Sequence, residues 1–153
     1  MNLNDLLPPS WANRAKEYFT YAVDFLPLAA GARVSQNITI QNDADFVLLA
    51  ARARVNDPAA VATVVADPAI TVQISNTGTN QLQSQPVPMG CFYSMTGLAA
   101  GGAAGNAGEF QVPYVFKAGS TLGTTLVSLD AVNPWDARLV YVGFKVYYFE
   151  WGV

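Results

Sequence analysis

Where this chain shows a hydrophobic rhythm, the period is two. Val34, Gln36, Ile38 and Ile40 fall on one side, and Ser35, Asn37, Thr39 and Gln41 on the other. Ile70, Val72 and Ile74 alternate with Thr71, Gln73 and Ser75. Leu122, Thr124, Leu126 and Ser128 alternate with Gly123, Thr125, Val127 and Leu129, and the apolar second half of that run predicts burial on both faces there. Side chains that switch face at every residue belong to a strand with one buried side; a helix repeats every 3.6 residues.

Other segments read as strands by composition. Tyr18 to Phe25 is rich in aromatic and β-branched residues. Phe46 to Val55, FVLLAARARV, has helix-forming residues, but turn signals on both sides and neighbouring strands decide for a strand. Val87 to Met95 carries Pro88 near its start, which predicts an edge or a bulge. Phe110 to Phe116 contains Pro113. Arg138 to Trp151 is the longest and most apolar run, and Gly143 inside it predicts a bulge or a close backbone approach. Residues 56–69, with two Asp-Pro pairs, read as a loop, as do 76–85 and the small-residue stretch 97–108. The glycines of 97–108 lack the strand, helix and lysine of a phosphate cradle. About eight closely spaced strands predict an all-β chain, a single β-sandwich of jelly-roll type, over residues 17–153.

Residues 1–16 differ. Pro8 and Pro9 forbid a continuous helix, so this stretch reads as an extended N-terminal arm, with at most one helical turn after Ser10. Leu3, Leu6, Leu7 and Trp11 are its apolar anchors and the candidate partner-binding residues. An extended arm cannot bury them against itself, so they dock on a partner or on the chain's own sandwich.

The chemistry the chain lacks is as telling. It has no histidine and one cysteine among 153 residues, which removes the commonest general base and the usual zinc ligands. No catalytic residue, metal or cofactor is predicted. Asp43 and Asp45 read as turn residues in QNDAD rather than as a carboxylate pair. Cys91, between Gly90 and Phe92, reads as a buried thiol. Five arginines and three lysines are scattered along a chain of net charge −3, so direct nucleic-acid binding is not expected. No run is long and apolar enough to predict a membrane span, and no secretion signal is read at the start, so synthesis in a reducing cytoplasm is expected. Charged residues make up 12%, against about 25% in an average domain. Weakly charged surface is easily desolvated, which favours a large partner interface.

Three segments carry a resemblance: Val112-Pro113-Tyr114-Val115-Phe116, Ala118-Gly119-Ser120-Thr121-Leu122, and Arg138 to Val146 with its internal glycine. Together they resemble the capsid decoration, or cement, proteins of tailed phages, which have a jelly-roll fold; the likeness spans roughly residues 34–150. The resemblance implies a virion structural protein without catalysis. It would be made in the host cytoplasm, bind the major capsid protein on the outer capsid surface, and assemble as a homo-oligomer, with a trimer expected. The alternatives are a receptor- or carbohydrate-binding sandwich of a phage tail or fibre, and a lattice-forming capsid or tail protein.

Overall fold

The computed structural model describes residues 8–65, 67–77, 80–95 and 109–150. Its strands are β1 (Arg14–Leu28), β2 (Arg33–Thr39), β3 (Ala44–Asp57), β4 (Ala60–Val64), β5 (Ile70–Asn76), β6 (Asn80–Gln81), β7 (Val87–Pro88), β8 (Ser94–Met95), β9 (Glu109–Phe116), β10 (Thr121–Ser128) and β11 (Trp135–Glu150). One sheet runs β1-β11-β3-β9, and the other β2-β10-β5-β7. Every pairing along these two paths is antiparallel. This interleaved order of eight strands is that of a jelly roll. The short strands β4 and β8 add to β3, and β6 adds to β5.

The period-two pattern sets the core. Tyr21, Val23 and Phe25 of β1 face inward, as do Ile70, Val72 and Ile74 of β5, Leu122 and Leu126 of β10, and Leu139 and Tyr141 of β11. Across the first sheet large residues meet small ones: Tyr21, Tyr141 and Ala51 lie in one row, and Val23, Leu139 and Ala53 in the next. Such alternation lets the two sheets interdigitate at the density of a protein interior. Inside the sandwich the Tyr93 and Tyr141 hydroxyls meet at 2.7 Å, and Thr124 Oγ1 joins Tyr141. Each of these three buried hydroxyls thus has a hydrogen-bond partner.

Gly143 produces both effects expected of it. The β11–β3 register shifts between Val142 and Gly143, where Ala50 and Leu48 are the partners, so Leu49 is the extra residue of a bulge. A Cβ on Gly143 would lie 1.9 Å from the Val47 carbonyl oxygen. The bulge also explains the composition of β3, because Val47 and Leu49 point to the outer face and are covered there by Trp11.

Several sequence expectations are corrected. Residues 56–69 are more than a loop: Asp57 Oδ1 accepts the Ala59 N–H at 2.8 Å, the chain reverses over Pro58 and Ala59, and β4 returns along β3. Val87 to Met95 is not one strand. Pro88 opens a helical turn, Met89–Phe92, between β7 and β8, and buried Met89 and Tyr93 stand four residues apart, a helical spacing. That turn leaves Cys91 exposed, where a buried thiol was expected. The second half of β10 is buried on one face only: Val127 is half-buried, and Leu129 lies beyond the strand end, exposed. Asp45 is a fully buried residue of β3, and the turn occupies Asn42 and Asp43. Residues 14–16, assigned to the arm, already belong to β1. The small-residue stretch 97–108 lies outside the described residues.

Candidate functional site

Trp11 sits at the end of a short 3-10 turn, Pro9–Trp11, closed by its own N–H donating to the Pro8 carbonyl at 2.8 Å. The proline at the first position fits a turn that needs no donor there. No side chain caps it, Ser10 included. The indole packs on Val47 and Val146, on the outer face of the first sheet, and is 6% exposed. Lys117 Nζ lies 4.9 Å above the ring and the Arg14 guanidinium 5.4 Å from it. Trp11 therefore docks on the chain's own sandwich; Leu3, Leu6 and Leu7 lie outside the described residues.

Asp45 fastens the same corner. It accepts hydrogen bonds from Tyr148 Oη at 2.6 Å, the Ala118 N–H at 2.8 Å and Lys117 Nζ at 3.1 Å. Burial by itself would raise its pKa; the three donors outweigh burial and hold it below the ordinary 3.8. Asp43 is separate from this corner. It takes Lys145, which is 4% exposed, donates also to Gln41 Oε1, and lies 4.5 Å over the Phe19 ring. The two aspartates thus hold two different lysines and do not form a carboxylate pair.

Perturbed titrating groups often mark active sites. Burial pushes the Tyr141 hydroxyl up to about 12 and raises Tyr93 as well. Both side chains are fully buried, so these hydroxyls stay protonated inside the core, where no substrate reaches them. Among the described residues no group of three or more histidine, cysteine, aspartate or glutamate side chains could hold a metal ion.

The surface feature that stands out is the loop end of the sandwich, where β1 leads to β2 and β10 leads to β11. Leu26 is 47% exposed, Leu129 64% and Val132 81%. Leu26 lies near the end of β1, and Leu129 and Val132 on the β10–β11 loop, which is tied to the β1–β2 loop. Gly31, with φ of 65°, donates its N–H to the Asp130 carbonyl at 2.8 Å, Ser128 N–H to Ala32, and Leu129 N–H to Ala69. A left-handed φ there favours glycine. Asp130 Oδ1 accepts from Val132 N–H and Asn133 N–H, an arrangement that fixes the loop tip. Those same backbone donors, from Asn133 first and Val132 second, lower the Asp130 pKa. Leu129 and Val132 are therefore presented on a hydrogen-bonded loop. The sequence held the signals, an Asp-x-x-Asn turn and a lone Gly31, but not the fact that the two loops meet.

No family model, no curated protein and no solved structure matches the chain.

Proposed function

We propose that this chain is a non-enzymatic virion structural protein, which binds the outside of a phage capsid through its loop end and decorates or cements the shell. The observation that carries the reading is the apolar loop end, with Leu129 and Val132 exposed on the hydrogen-bonded β10–β11 loop and Leu26 exposed near the end of β1. Pre-ordered apolar side chains lose little entropy on docking, which is what a permanent contact needs. The low charge of the chain supports the same reading. The partner is the major capsid protein, and the protein is a trimer placed on the capsid surface. Symmetric closure is the rule for such assemblies, and among the described residues β1 is a 15-residue edge strand.

The test is co-sedimentation with particles that lack the protein. Wild type is expected to bind saturably. Val132→Asp is expected to keep its melting temperature, because the residue touches solvent, and to bind about 10- to 100-fold more weakly. Burial of one such side chain is worth roughly 1.5–3 kcal/mol. Equal binding by the variant removes the loop end from the interface, and no binding by either protein overturns the capsid reading.

A glycan-binding module is the other reading open to a jelly roll. Its best support is the exposure of Tyr18 at 62% and Tyr148 at 56%. Tyr18 packs edge-on against Phe144, and Tyr148 is committed to Asp45. The groove on the outer face is lined by Arg52, Ala53, Arg54, Arg138 and Val140, with no aromatic platform among them.

A further inference from the structure

The arginines, scattered in sequence, converge in space. Arg52 and Arg54 project from alternate positions of β3 on the outer face of the first sheet, and Arg138 projects beside them from β11. Arg138 is the direct cross-strand partner of Arg54, and Val140 that of Arg52. Together they line an open groove of about 370 Å³. Like charges placed opposite each other in a sheet destabilise it, and Arg52, Arg54 and Arg138 are all exposed. On the other flank Arg138 faces Asp24 of β1 across the pairing. Neither Arg52 nor Arg138 forms an ion pair among the described residues.

We infer that this groove binds paired carboxylates on an extended acidic segment of a partner protein. Arg52 and Arg138 are diagonal neighbours, and such positions stand about 7–8 Å apart. Acidic side chains at alternate residues of an extended chain are spaced by about 6.6 Å, so two of them reach the two guanidiniums together. Each guanidinium fork takes a carboxylate through two parallel hydrogen bonds. The groove is a point site and not the start of a phosphate track. Lys117 and Lys145 are engaged with Asp45 and Asp43, Lys16 with the Ala12 carbonyl, and Arg14 with Trp11. Arg33 belongs to β2, in the other sheet. A nucleic-acid backbone needs several neighbouring cations. The groove shares no residue with Leu26, Leu129 and Val132, so either set of contacts can fail without the other.

The test follows backbone amide shifts of β3 and β11 during titration at fixed ionic strength with citrate, with a blocked Glu-Thr-Glu peptide, and with oligothymidylate. Citrate and the peptide are expected to move the amides around Arg52, Arg138 and Val140. The R52Q/R138Q variant, changed only at exposed positions, is expected to keep its fold and bind both at least about tenfold more weakly. D24N, which removes the carboxylate facing Arg138, is expected to bind both a few-fold more tightly. Equal affinity in R52Q/R138Q overturns the site. Tighter binding of oligothymidylate than of the peptide overturns the protein partner and assigns the groove to phosphates.

Discussion

Gly143→Ala is expected to abolish cooperative folding. The added methyl would overlap the Val47 carbonyl oxygen at 1.9 Å and approach the Phe46 ring tip at 3.0 Å. The first of these is backbone, in the middle of the long β3–β11 pairing, so relief requires β3 and β11 to separate at the centre of the sheet. Overpacking a well-filled core typically destabilises by about 1–3 kcal/mol through side-chain shifts alone. A forced backbone separation exceeds that, and more than about 4 kcal/mol is a large part of the stability of a domain this size. Gly90→Ala is the control: its nearest atom would be 3.9 Å away, so its stability is expected to stay within about 0.5 kcal/mol of wild type. Soluble yield and thermal melts of the two variants decide. A Gly143→Ala protein melting within a few degrees of wild type contradicts the bulge geometry.

Trp11→Ala is expected to destabilise the fold by about 3–5 kcal/mol, the range for a buried tryptophan truncated to alanine. Trp11 is 6% exposed and covers Val47 and Val146, so its removal uncovers the outer face at the place where β3 is apolar on both sides. It also removes the ring over which Arg14 and Lys117 lie. Chemical denaturation measures the change. A loss under about 1 kcal/mol would mean that the indole contributes little to the sandwich and leaves it available to a partner.

These two residues mark how much was readable beforehand. Strands with one buried face announce themselves by alternation, so Ile70 to Ser75 and Val34 to Ile40 were legible without coordinates. Gly143 was legible as an exception, because a glycine in the middle of an apolar strand has few reasons to be there. The outer cover was not legible. An apolar run such as FVLL is equally consistent with a strand buried on both faces and with other uses, and only the docking of Trp11 distinguishes them. Met89 and Tyr93 misled because a segment of strand-like composition contains one helical turn.

Pairing information is what the sequence lacked. Lys145 and Asp43 meet across 102 positions, and Lys117 and Asp45 across 72. The arginines read as dispersed because Arg138 is far along the chain from Arg52 and Arg54, yet register places it directly opposite Arg54. The loop end shows the same dependence: Gly31 and Asp130 are ordinary turn residues until the strand order brings their loops together.

The central claim is a position in a particle, and a density map of the intact virion tests it most directly. The account predicts a layer of jelly rolls on the outer capsid surface, three to a local threefold axis, with Leu26, Leu129 and Val132 turned toward the major capsid protein. Density for this chain in a tail or fibre, within the continuous shell itself, or nowhere in the particle would contradict it.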